Sequence, residues 1–213
     1  MARGMDDGLG KDGKAARREL ERRALELFAD GSPREILGRL CDGDPLGLEA
    51  RTAQRAARDA LFVDRERLSR RAFARVAYSA CDFRANVSLE PWIEARVAEA
   101  VVDLLEEQQD EELRGVSVYE SMDAEYYGSF ARDAGMEVGL ARAACVALNH
   151  LPAETRRAFH ALVVERLTIA ACVQRGLGTE EKVESCVRQA IRAIEAAIHG
   201  TENGTAYGGD SEL

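Results

Sequence analysis

The chain has 213 residues, of which 46% are hydrophobic, 31% charged and 6% aromatic, and its formal net charge is −9. That length holds one large domain or two small ones, and no apolar run approaches the roughly 18 residues of a membrane span. No charged-then-apolar leader opens the chain, so a cytoplasmic location is expected.

Ala, Leu, Arg and Glu dominate, the chain has 4 Pro, and no run of alternating β-branched residues occurs, so the predicted fold is all-α. Cys41, Cys81, Cys145, Cys172 and Cys186 are odd in number and lack paired spacing. The last three, in helical stretches largely among Ala and Val, read as small buried hydrophobes. His150, His160 and His199 share no ligand spacing with them, so neither a metal nor another cofactor is expected.

In chain order, residues 1–13 are rich in Gly and Asp and are expected to be disordered. Gly8 to Lys14 has the spacing of a phosphate loop, but Ala15 replaces the metal-binding hydroxyl and no strand precedes it, so the match is set aside as chance. Residues 14–46 form a helical extension. Its first helix covers about 14–29, with Leu20, Ala24, Leu27 and Phe28 on one side, and Asp30-Gly31-Ser32-Pro33 ends it and starts the next. Gly43-Asp44-Pro45 is a further break. A helical domain is predicted over 47–105. Its pattern runs through 47–80 with Leu61, Leu68, Phe73, Val76 and Ala77 as core, then a loop at Asp82 to Val87. Ser88 caps the next helix, which has Pro91 in its first turn and an apolar face of Trp92, Ile93, Val97, Val101, Leu104 and Leu105.

Residues 106–137 read as an acidic linker, with the run Glu106 to Glu112 followed by Tyr119, Tyr126, Tyr127 and Phe130. Aromatic residues in such a tract suggest that it lies against a partner. A second helical domain is predicted over 138–199, and 200–213 is a Gly-rich acidic tail expected to be disordered. Net charge divides unevenly: residues 51–105 and 138–200 each carry +2, and 106–137 carry −8. Phosphate binding depends on such local charge, so the acidic total does not exclude nucleic acid.

The second domain contains helical segments near 138–148, 154–167, 168–175 and 179–198. In the last, Val183, Val187, Ile191, Ile194 and Ile198 stack on one face, while Lys182, Ser185, Arg188, Gln189 and Arg192 occupy the other. A short helix, a Gly-flanked turn and a polar, Arg-containing helix make a helix–turn–helix pattern that points at DNA. An ordinary bundle gives the same periodicity, with Arg188 and Arg192 paired to Glu184 and Glu195 on their own helix.

Leu151-Pro152, Arg156, Phe159, Val164-Glu165, Leu167-Thr168, Val183, Ser185 and Ala190 fall, without a gap, where the fourth region of extracytoplasmic-function sigma factors of bacterial RNA polymerase has its signature. Asp82-Phe83-Arg84, Ser88-Leu89-Glu90-Pro91-Trp92-Ile93 and Asp103-Leu104-Leu105 resemble that family's second region. The resemblance covers roughly residues 50–105 and 148–198. It implies a transcription initiation factor without catalysis, whose partners are RNA polymerase core, promoter DNA and an anti-sigma factor.

Three residue sets follow from it. Lys182, Ser185, Arg188, Gln189 and Arg192 would read duplex DNA upstream. Phe83, Arg84, Asn86, Ser88 and Arg96 would hold the melted promoter element, with a flipped base in an apolar pocket. Arg65, Arg67, Arg71 and Arg75 would expose a basic stripe to an acidic surface of the polymerase. The acidic linker would thread toward the polymerase active-site channel. Arg67 and Arg71 stand where the family usually carries acidic residues, and Glu184, Cys186, Gln189 and Ile191 where it carries Lys or Arg. Those departures suit an alternative, a sigma-like decoy that occupies an anti-sigma factor or other regulator. A helical enzyme would need Asp103, Glu106, Glu107 and Asp110 as metal ligands, or Cys145 with His150 as a nucleophile pair. Neither set has a matching second cluster, and no catalytic residue is assigned.

Overall fold

Among the residues described in this computed structural model, 11–29, 31–84 and 87–205, there are ten α-helices and no strand. They are α1 (Lys11–Phe28), α2 (Pro33–Cys41), α3 (Leu48–Asp59), α4 (Arg65–Ser79), α5 (Leu89–Leu113), α6 (Ala124–Ala134), α7 (Ala141–Asn149), α8 (Ala153–Phe159), α9 (Ile169–Gln174) and α10 (Glu180–Thr205). None is long and apolar enough to cross a membrane among the described residues. The expected disorder of the N-terminus lies largely outside the described residues, as do residues 206–213 of the expected tail and Asn86.

The helix boundaries follow local chemistry. At α2 the Glu35 amide donates to Ser32 Oγ (3.4 Å) and the Ser32 amide donates to Glu35 Oε2 (2.8 Å), a reciprocal capping box with Pro33 at the first turn. Asp44 accepts from the amides of Leu48 (2.7 Å) and Glu49 (2.9 Å), which starts α3 after the Gly43-Asp44-Pro45 break.

Two compact units divide the chain, one of residues up to Thr52 with Ser69–Val101, the other of Ala53–Leu68 with Val102 onward. The division falls within α3, α4 and α5 and so differs from the expected blocks of 47–105 and 138–199. In the first unit, Leu40, Leu46, Leu48, Val76, Ile93 and Val97 are fully or almost fully buried. Each such side chain contributes roughly 1.5–3 kcal/mol relative to exposure. Phe28, Phe83 and Trp92 pack ring against ring, with centroids 5.2–5.7 Å apart. Arg51 makes a two-pronged pair with Glu90 at 2.7 and 2.9 Å, and its guanidinium holds the Glu90 carboxyl below its ordinary range.

The second unit has two apolar clusters. One gathers Phe62, Val118, Tyr127, Phe130, Cys145, Leu148, Phe159, Ala190 and Ile194; the other gathers Ala158, Ala161, Cys172, Val183, Cys186 and Val187. Cys145, Cys172 and Cys186 are buried, as their apolar surroundings predict. Burial pushes the Cys145 thiol up, and His150 is exposed.

Three expectations change. The run 47–80 is broken, because the Leu61 amide bonds to Ala56 O (2.9 Å) and the Ala60 amide to Ala57 O (3.2 Å), with Ala60 left-handed at φ 47°. Phe62 and Val63 are then buried beyond the bend, and Leu61 is only half-buried. Residues 106–137, read as a linker, are folded into this unit. With no breaker before Gly115, α5 continues to Leu113, and Val118, Tyr127, Phe130 and Ala131 supply core. Gln108, fully buried, donates to the Tyr127 hydroxyl (3.1 Å). Asn149 accepts from the Phe62 amide (2.8 Å) and donates to Phe62 O (3.1 Å). Finally, Ile191 is 42% exposed, since the buried row of α10 runs Val183, Val187, Ala190, Ile194. A step of three after Val187 keeps that row on one face, and Ile191 turns outward.

Candidate nucleic-acid interface

The C-terminal part of the second unit is built on two turns. Thr168 Oγ1 accepts from the Ala171 amide (3.2 Å) to start α9. Leu177 N to Cys172 O (3.1 Å) and Gly176 N to Val173 O (2.9 Å) close it, and Gly176 takes φ 78°, which glycine adopts without strain. Thr179 Oγ1 then accepts from the Lys182 amide (3.3 Å) at the start of α10.

Val183, Cys186, Val187, Ala190 and Ile194 anchor α10, and Lys182, Ser185, Arg188, Gln189 and Arg192 are all exposed. Their surroundings differ. Lys182 Nζ lies 2.9 Å from Glu154 Oε1, and this hydrogen bond raises its pKa. Gln189 Oε1 accepts from Thr155 Oγ1 at 3.2 Å, which fixes the orientation of its amide. Arg188 is 3.9 Å from Glu184, a loose pair on a solvated face, worth no more than tenths of a kcal/mol. The Arg192 guanidinium makes no hydrogen bond or ion pair with the described residues.

The set assigned to melted DNA does not come together. Phe83 is buried against Phe28 and Trp92 and has no face open for a base. Arg84 is exposed but turns its guanidinium onto the carbonyls of Cys81 and Phe83. Ser88 is half-buried and accepts a hydrogen bond from Arg17. Arg96 lies 5.7 Å over the Trp92 ring and 2.6 Å from Glu99, so its charge is engaged on its own helix. Trp92 itself is core.

Nor do the arginines of α4 form one exposed stripe. Arg65 is exposed and Arg71 and Arg75 are half-buried, whereas Arg67 is 6% exposed. Arg67 lies 2.6 Å from Glu111, 2.9 Å from Asp123 and 3.2 Å from Glu107. Burial works against its charge, but the Glu111 hydrogen bond and the carboxylate charges outweigh that and raise its pKa. Arg142, also buried, bonds Glu111 (3.3 Å), Glu112 (3.2 Å) and the Val116 carbonyl.

Sequence reasoning missed this network, although Glu107, Glu111 and the nearby Asp123 required buried cations. It also left Arg156 without a role. Its guanidinium donates to the carbonyls of Asp59 (2.6 Å), Ala60 (3.1 Å), Asn149 (3.0 Å) and Leu151 (2.5 Å), satisfying the ends of α3 and α7 at once. Among the described residues no group of three or more His, Cys, Asp and Glu is arranged to hold a metal ion. No family model, curated protein or solved structure matches the chain.

Proposed function

We propose that this chain is a sigma-like transcription initiation factor of the cytoplasm, binding RNA polymerase core and directing it to promoter DNA. The observation that carries this is the row Lys182, Ser185, Arg188, Gln189 and Arg192, exposed along a helix whose opposite side is anchored in core. From Lys182 to Arg192 the row spans about 15 Å at ~1.5 Å per residue, the length of roughly four to five base-pair steps. A helix of that size enters the major groove, where Arg pairs with guanine and Gln with adenine, each for ~1–3 kcal/mol of discrimination. In this assignment α9 and α10 are the helix–turn–helix, and Arg65 is the exposed basic residue that α4 offers to the polymerase.

In vitro transcription with purified core polymerase and genomic fragments tests it. Run-off products are expected with the intact chain and are lost in the Arg188→Glu/Arg192→Glu variant, whose exposed changes leave the far-ultraviolet circular dichroism intact. Products unchanged in that variant refute groove reading. The decoy alternative, a sigma mimic that occupies an anti-sigma factor, is favoured by the carboxylates of Glu180, Glu181 and Glu184 at the start of α10, which repel a phosphate backbone. A decoy does not pull down core polymerase.

A further inference from the structure

We propose that a cleft in the second unit is a binding site for a phosphate monoester carried on a flat apolar body. The cleft measures about 320 Å³, at the lower end of the roughly 300–1,000 Å³ common for small-molecule sites. Its apolar lining is made by Ala56, Ala57, Ala60, Leu61, Ala161 and Leu177. Its rim carries Arg65, Arg157, His160 and Arg175, against a single carboxylate, Glu165.

Three guanidiniums and one carboxylate sum to a charge of +2. A phosphate monoester carries about −1.5 to −2 at neutral pH and so matches it, whereas a carboxylate or sulfonate leaves one cation uncompensated. The three arginines are exposed, so the anion would not need a fully desolvated partner. The Arg65 guanidinium makes no hydrogen bond or ion pair with the described residues. Arg157 is steadied through its Nε, which donates to Arg58 O at 3.2 Å. Glu165 holds the remaining pair, bonded to Arg175 and 3.1 Å from His160 Nδ1. It therefore competes with a ligand anion for Arg175.

The backbone around the cleft is irregular at two places. Helix α8 widens into a π-helical turn over His160–Val164, which brings His160 and Ala161 to the wall. Such turns are uncommon and concentrate at functional sites. Ala60, also on the wall, is a non-glycine residue in the left-handed region.

Isothermal titration of the full chain with phenyl phosphate tests the assignment, with inorganic phosphate, phenol and benzenesulfonate as separate arms. Phenyl phosphate is expected to bind at least about tenfold more tightly than each of the other three, because only it supplies both body and dianion. Arg157→Ala and Arg175→Ala each weaken it about tenfold or more, and Arg132→Ala, an exposed change on α6, leaves it unaltered. Glu165→Gln tightens binding several-fold by removing the competing carboxylate, an effect that general loosening of the fold would not produce. Equal affinity for phenyl phosphate and inorganic phosphate, equal affinity for benzenesulfonate, or indifference to the two arginine variants overturns the proposal.

Discussion

Replacing Arg67 by Met leaves a cluster of carboxylates facing one another inside the second unit. Asp123 is fully buried, the Glu111 side chain is 14% exposed, and both lie within 2.9 Å of the guanidinium that would be lost. Asp123 Oδ2 already has no hydrogen-bond partner, so its charge leans on Arg67 and on the Ser121 hydroxyl, 2.6 Å from Oδ1. Removing one partner of a buried pair costs about 3–5 kcal/mol, more than the pair contributes over an apolar substitute, because the other charge stays behind. For a chain of this size each kcal/mol moves the melting temperature by roughly 2–4 °C, so Arg67→Met should lower it by roughly 6–20 °C. Thermal melts followed by circular dichroism at neutral pH measure the shift. The double variant Arg67→Met/Asp123→Asn is expected to recover a large part of it, since the stranded charge is gone while Ser121 can still bond the amide. A loss below about 1 kcal/mol, the scale of a solvent-exposed pair, would refute a buried Arg67.

Two other outcomes follow from the same unit and its neighbour. Arg166 is exposed and sits at φ 56°, where the Leu167 amide closes on Ala161 O at 3.0 Å; Arg166→Gly relieves about 1–2 kcal/mol of left-handed strain against about 0.4–1 kcal/mol of added chain entropy. The melting temperature should therefore rise slightly, and a fall would place residue 166 outside the left-handed region. Burial raises the Glu111 pKa, but the Arg67 hydrogen bond and charge outweigh it, so the folded value lies below the ordinary 4.5. Its stabilisation is present in full above that ordinary value and is lost as pH falls through the lower folded value; Glu90, held down by Arg51, adds to the same slope. The urea midpoint should be level near about pH 6 and drop toward about pH 3, more steeply in the intact chain than in Arg67→Met. A midpoint constant across that span contradicts both ion pairs.

Periodicity made the all-α class and most helix ends legible, because caps and breakers act within a turn. Ser32-Pro33, Asp44, Thr168 and Thr179 each start a helix by bonding amides three to five residues away or fewer. The core of α5 was readable for the same reason: Trp92, Ile93, Val97, Val101 and Leu104 recur at helical steps and are buried. What escaped depends on contacts distant in sequence. The bend at Ala60 carries no Gly or Pro to announce it, and Arg156 is needed from 96 and 97 residues away to satisfy its carbonyls. Phe83 looked like a loop aromatic open to a base until Phe28 and Trp92 enclosed it. The exposed row of α10 was legible in composition, but Gln189 is held by Thr155, which lies 34 residues earlier.

The linker is the most instructive difference, because it changes what the charge at position 67 means. Read as a free acidic strap, residues 106–137 have no claim on α4, and an arginine at 67 looks like a surface inverted for a different partner. Folded in, the same segment presents Glu107, Glu111 and Asp123 to that position. A carboxylate there would be the fourth of like sign, in a place with little water to screen it. The basic residue is thus required by its intramolecular neighbours, so its sign carries no information about an outside surface. Arg67, being buried, reports on the packing of this chain; of the four arginines Arg65 is the exposed one that can bear on what α4 meets. Charge reversal at Arg65 therefore separates the two issues: Arg65→Glu should leave the unfolding free energy within about 0.5 kcal/mol of the parent while weakening capture of core polymerase, and capture that is unchanged would remove this helix from the polymerase contact.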